Sequence, residues 1–223
     1  QFKRGKKSDS GTDRNLSGDT LILLTVICIA IILGIYSKVL GDVGQAMIAG
    51  TAMIVLSFFF TAVASYIVGL VGNSNSPVSG MTITAVLATA CLMTVMGYGG
   101  QAGIVATLCV AGVVCCVACT SGDVCNDLKT GALVGASPRS QQIAQIFGVG
   151  SAALILAPVL TAINKSSVLK YGGIIGQVPE IPAPQAKLFA SLANGFFGTG
   201  QLPWNMVAIG AGLGVVVLVI DRF

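Results

Sequence analysis

The chain contains no histidine. That removes the histidine-based nucleophilic triads and the usual zinc-hydrolase motifs. Charge is scarce as well. Only 9% of the 223 residues are Asp, Glu, Lys or Arg, against about 25% in a soluble domain. Hydrophobic residues make up 54%, and the mean hydropathy is +0.89. A chain this apolar has too little polar surface to face water. Composition therefore excludes an ordinary soluble enzyme, a disordered tail and a nucleic-acid-binding domain.

The charges that exist are unevenly placed. Residues 1–20 hold Lys3, Arg4, Lys6, Lys7 and Arg14 against Asp9, Asp13 and Asp19. No charged residue occurs among the 80 residues between Asp42 and Asp123. A water-facing surface could not be built from such a stretch, whereas lipid removes the need for one. The net charge of +4 does not point to nucleic acid. Its basic cluster adjoins a hydrophobic span, where Lys and Arg hold loops in the cytoplasm and can also meet anionic headgroups.

Six of the seven cysteines (Cys28, Cys91, Cys109, Cys115, Cys116 and Cys119) lie in apolar stretches, where a thiol acts as a small hydrophobe. Their spacing is not that of a secreted disulfide framework. Cys115 and Cys119 share a helix face and could hold a soft metal. With no histidine near and apolar surroundings that oppose thiolate formation, packing is the favoured reading and no metal is assigned.

A helix needs roughly 20 apolar residues to cross a core of about 30 Å. Six spans are predicted, over 21–40, 45–71, 81–96, 103–119, 142–163 and 204–220. Lys38 snorkels at the end of the first, Pro158 kinks the fifth, and Trp204 anchors the sixth at an interface. The fold class is thus an all-α integral membrane bundle, with residues 1–20 a polar basic leader or inter-span loop and 21–223 the transmembrane domain. Placing the N-terminus in the cytoplasm puts the leader's five basic residues, Lys129, Arg139 and Arg222 inside. Lys38, Lys165, Lys170 and Lys187 then lie outside, an arrangement that satisfies the positive-inside rule. Gly210 with Gly214, and Ser65 with Gly69, are small-residue pairs that let helices approach closely. Residues 164–203 form a long connection whose Gln185–Phe197 stretch is an interfacial helix or short hairpin.

Two uncharged or sparsely charged polar segments interrupt this pattern. Gly72-Asn73-Ser74-Asn75-Ser76-Pro77-Val78-Ser79-Gly80 is either a plain turn or a break in a helix at membrane depth, with freed backbone lining a watery cavity. Its Asn and Ser side chains can hydrogen-bond a polar substrate. The second runs from Thr120 to Gln142. There Ser121 or Thr120 could cap a helix beginning near Asp123. Asp123 and Asp127 then share a face. The segment is either a solvated loop, or a place where a carboxylate takes up and releases a proton as its burial changes.

At these segments the chain resembles the oligopeptide transporter (OPT) superfamily, especially its bacterial members. The first block is Gly69-Leu70-Val71-Gly72-Asn73-Ser74-Asn75-Ser76-Pro77-Val78-Ser79-Gly80-Met81-Thr82. Asp123-Val124-Cys125-Asn126-Asp127-Leu128-Lys129-Thr130-Gly131 and Gly135-Ala136-Ser137-Pro138-Arg139-Ser140-Gln141-Gln142 resemble a second block, shared with the yellow stripe-like metal-chelate transporters. Pro182-Ala183-Pro184-Gln185-Ala186 and Leu202-Pro203-Trp204 add to the likeness. Cys125 and Asn126 depart mildly from the family pattern.

The resemblance implies a multi-pass secondary transporter of oligopeptides or metal chelates, driven by protons and not an enzyme, in the bacterial inner membrane. It implies that this chain is part of a C-terminal half that works with the remaining half of the same transporter. Asn73, Ser74, Asn75, Pro77, Ser79 and Gly80 become candidates for substrate contact. Asp123, Asp127, Lys129, Gln141 and Gln142 become candidates for proton coupling or gating, Lys129 lowering the cost of the carboxylate charges. No cofactor is expected. The expected partners are the substrate, protons and lipid, with a homo-oligomer also open. The alternative is a membrane anchor or assembly subunit that transports nothing.

Overall fold

The computed structural model describes residues 15–197 and 204–222. The basic residues of the leader, Leu202-Pro203 and the side chain of Trp204 lie outside the described residues. The chain is an all-α polytopic membrane protein. Its helices are α1 (Gly18–Leu40), α2 (Val43–Val71), α3 (Val78–Val95), α4 (Gly100–Val134), α5 (Pro138–Tyr171), α6 (Pro184–Phe197) and α7 (Trp204–Asp221). In lipid each backbone N–H and C=O must find its partner within the segment, and an unbroken apolar run therefore winds into a helix.

Local chemistry sets the boundaries. Ser17 caps α1 by accepting from the Thr20 N–H, and Asp19 in the first turn complements the helix dipole. Gly41 ends the helix in the left-handed region at φ 70°. One residue later Asp42 caps α2, accepting from the Gly44 N–H at 2.8 Å. Gly135 closes α4 in the same left-handed manner, and Pro138 opens α5.

Five helices, α1 to α5, are long and apolar enough to cross a membrane; α7, apolar over Asn205–Asp221, is shorter. Five of the six expected spans fall on α1 to α5 with altered ends, and the sixth, 204–220, falls on the shorter α7. The fourth does not stop at Cys119. α4 runs 35 residues to Val134, and the polar stretch from Thr120 is its last four turns, with no new cap. Ser121 donates to the Ala118 carbonyl inside the helix instead of capping one. α5 is likewise longer than expected, and the connection after it shrinks to 172–183 followed by α6.

α4 is the hub. It packs along α2 and α3, while α1 lies against α2 and α6 sits on α3 and α4. The contact faces are built from small side chains. Ala49, Ala64, Ala85, Ala90 and Ala106 are wholly buried, with Met93, Val86, Val110 and Val114 filling between them. Small residues let helix axes approach, which replaces the hydrophobic drive that lipid does not supply. α6 is a single helix packed on the bundle, with Ala193 buried and Phe189, Leu192 and Phe197 against the core.

Candidate functional site

Consecutive helices run antiparallel, so the bundle of α1 to α4 has two distinct ends. One end carries both polar segments. There α2 stops at Gly72, whose φ of 84° excludes most side chains, and the chain makes a 3-10 turn over Asn73–Asn75 before α3 begins. The Ser76 N–H donates to the Asn73 carbonyl at 3.1 Å, and the Asn75 amide to the Val71 carbonyl at 3.4 Å. The segment is a short turn between α2 and α3. Ser74, Pro77, Ser79 and Gly80 are exposed, and Ser76 Oγ is buried without a partner.

The turn is tied to α4. Asn73 Nδ2 donates to Asp123 Oδ1, joining two residues 50 apart in sequence. This contact needs the glycine beneath it. A Cβ on buried Gly122 would lie 2.7 Å from Asn73 Oδ1 and 3.0 Å from Val68 Cγ2. One turn further, Asp127 Oδ2 accepts from Gln145 Nε2 of α5 at 3.0 Å. Each carboxylate is therefore held by a neutral amide from a different element. Both Asp123 and Asp127 are exposed, so the partial burial expected for a coupling carboxylate is not present in this conformation. Lys129 is exposed and forms no ion pair with either.

The two glutamines have other tasks. Gln141 packs over Gly131, where any Cβ would collide with its amide, and its Oε1 is buried without a partner. Gln142 Oε1 accepts from the Leu16 N–H at 3.0 Å, tying the chain ahead of α1 to the start of α5. Sequence reasoning missed Gln145. Its position four residues after Gln141, on the same face of α5, was the available signal. It also missed Gly122, which a search for polar chemistry passes over.

Two cavities open on the bundle. One, of about 530 Å³, lies between α2 and α3 beside Met47, Thr51, Val55, Thr89 and Met96. The other, of about 690 Å³, lies between α1, α2 and α4 beside Cys28, Ile32, Met53, Phe58 and Val117. Both are apolar, and neither touches the Asn73–Asp123 junction. Cys115 and Cys119 are neighbours on one face of α4. Among the described residues no group of three or more His, Cys, Asp or Glu stands close enough to hold a metal.

Known proteins resemble this sequence. It matches the family described as "OPT oligopeptide transporter protein" over residues 10–223. It is 37% identical over 185 residues to the "Putative oligopeptide transporter" of Haemophilus influenzae, covering 75% of this chain and 28% of that protein. It is 28% identical over 160 residues to the "Probable metal-nicotianamine transporter YSL14" of Oryza sativa subsp. japonica, covering 69% of this chain and 22% of that protein. A second rice protein, "Probable metal-nicotianamine transporter YSL13", is 29% identical over 156 residues, 67% of this chain and 21% of its own. The chain thus spans between a fifth and a third of the length of these relatives. No solved structure matches it. With the matched region reaching from before α1 to the last residue, and both polar segments inside it, the chain belongs to the OPT oligopeptide transporter family.

Proposed function

We propose that this chain is the part of a proton-driven secondary transporter that couples a mobile polar turn to a pair of carboxylates. Its cargo is a small peptide or a metal chelate, and its setting is the bacterial inner membrane. It works with the rest of the same transporter and carries no catalytic site. The observation that carries the reading is the hydrogen bond from Asn73 to Asp123. It joins, across 50 residues, the two segments that stand out from an otherwise apolar chain.

The chemistry follows from that bond. An amide donating to an ionised carboxylate makes a charge-assisted hydrogen bond, roughly twice as strong as a neutral one. Protonating Asp123 removes the charge and weakens the hold on the turn. The turn bears Ser74 and the start of α3 bears Ser79, exposed hydroxyls suited to the amides and carboxylates of the cargo. Asp127, held by Gln145, does the same for the contact between α4 and α5. Proton binding at α4 thereby loosens two neighbours at once, and alternate exposure of the cargo site needs such a release.

The test is uptake by the full-length transporter in proteoliposomes, with a short peptide and a ferric chelate offered in parallel. Gradient-stimulated uptake of one cargo is expected. Asp123→Asn and Asp127→Asn should abolish the response to the gradient, while Ser74→Ala and Ser79→Ala raise the KM for cargo. Full pH dependence in both Asn variants would remove the coupling role.

A further inference from the structure

The opposite end of the bundle, where α1 turns into α2 and α3 into α4, has a different character. Four polar atoms are buried there without a hydrogen-bond partner: Tyr36 Oη, Gln45 Nε2, Thr89 Oγ1 and Thr107 Oγ1. Their residues are at most 4% exposed. Elsewhere Ser57 Oγ, Ser76 Oγ and Gln141 Oε1 are also buried without a partner, each on a residue that is itself only partly buried, while the buried Thr82 and Ser167 are both partnered. The two threonines are unusual in another way. Thr25, Thr51, Thr82, Thr84, Thr94 and Thr161 each donate to the carbonyl four residues earlier in their own helix. Thr89 and Thr107 forgo that bond and keep their hydroxyls dry.

Their depth matches. Thr89 lies six residues before the end of α3, and Thr107 seven after the start of α4. At 1.5 Å per residue both sit roughly 10 Å below the same end. All four atoms are buried as the helices pack, and Thr89 stands beside the cavity between α2 and α3. A dry unpaired polar group favours any rearrangement that wets it.

A latch spans the same end. Tyr98, in the turn between α3 and α4, places its hydroxyl beside Asp42, in the turn between α1 and α2. Loss of hydration and then the nearby Asp42 carboxylate raise the pKa of this hydroxyl. Its seat is Gly44, where a Cβ would lie 2.9 Å from Tyr98 Oη and 3.3 Å from Asp42 Oδ1. Both turns pivot on glycines with positive φ, Gly41 at 70° and Gly97 at 81°.

We propose that this end is a closed gate: the Tyr98–Asp42 contact latches the α1–α2 hairpin to the α3–α4 hairpin over Tyr36, Gln45, Thr89 and Thr107, which take up water when it opens. The gate rests on the transport reading for its purpose, but its opening is measurable without cargo. The dry hydroxyls act as a bias toward opening, and the latch opposes them.

The experiment uses the full chain in membrane vesicles carrying Thr107→Cys, with modification of that position by a charged, impermeant thiol reagent followed by residue-resolved mass spectrometry. Reaction is expected to be slow, and Tyr98→Phe, which keeps the ring and deletes the hydroxyl, should speed it about three- to tenfold. Equal rates with and without Tyr98→Phe would overturn the latch. Thr89→Val removes one dry hydroxyl at constant shape. It should slow the reaction and raise the apparent melting temperature, and it remains informative if Tyr98→Phe fails to fold. A lowered melting temperature would show that the hydroxyl has a partner, and would overturn the dry gate. Neither readout depends on uptake, so failure of the transport proposal would leave both results standing.

Discussion

Gly122 decides whether the two polar segments can meet. Its missing side chain leaves room for the Asn73 amide on one side and the Val68 methyl on the other. Val68 is β-branched and stiff. A methyl group at 122 must therefore displace the asparagine. Gly122→Ala is expected to break the Asn73–Asp123 bond and cost about 1–3 kcal/mol of stability. Gly131→Ala is the matched control. There the obstacle is the far end of the flexible Gln141 side chain, which can swing aside. Thermal unfolding of both variants in detergent checks the contrast, and equal midpoints would show that the turn sits loosely on α4. Sequence reasoning reached Asn73 and Asp123 separately, because amides and carboxylates stand out in an apolar chain. It could not join them, because pairing across 50 residues depends on helix packing, and it passed over Gly122 because a vacancy has no chemistry of its own. Gln141 and Gln142 make contacts that polarity alone does not foretell. Their polarity marked them, yet Gln142 ties down the chain before α1 and Gln141 packs the elbow between α4 and α5.

Elements were legible wherever hydropathy alone decides, and they blurred where polarity changes inside a helix. α4 is the clear case. Its composition shifts at Thr120, and an expectation built on hydropathy ended the span there. The backbone does not notice the shift. At 35 residues α4 is about 52 Å long, well beyond a core of about 30 Å. Its last turns carry Asp123 and Asp127, both exposed, as a continuation of the same helix. α6 is a second case. Its apolar residues fall on one face, and that face is spent on α3 and α4. The tightest point is Phe197, whose ring would lie 3.0 Å from a Cβ on Gly103. Phe197→Ala should release the end of α6 at a cost of about 2–3 kcal/mol. Limited proteolysis in the 172–183 connection reads this out, with faster cleavage expected in the variant. Unchanged cleavage would place the hold on α6 at Phe189 and Leu192 instead.

The whole molecule is lopsided. α1 to α4 and α6 form one packed body, while the apolar windows of α1 and α5 are almost entirely uncovered. Leu154 and Leu169 of α5 are 79% and 88% exposed, and Leu218 of α7 is 71%. Lipid, or the remaining length seen in the relatives, covers such faces. The charges divide along the same axis as the packing. Lys129 and Arg139 flank the end that carries the Asn73–Asp123 junction, while Lys38 lies at the end with the Tyr98–Asp42 contact. If the positive-inside bias holds, the carboxylates face the cytoplasm and the gate faces outward. Under the coupling proposed above, that orientation has Asp123 release its proton toward the cytoplasm and regain its hold on Asn73. Impermeant labelling of the full chain in intact cells checks it. Ser74→Cys should react only after the cells are permeabilised, and Val43→Cys, exposed at the other end, should react in intact cells. The opposite pattern would invert the molecule and make the carboxylates the proton entry point, with the Tyr98 gate opening to the cytoplasm.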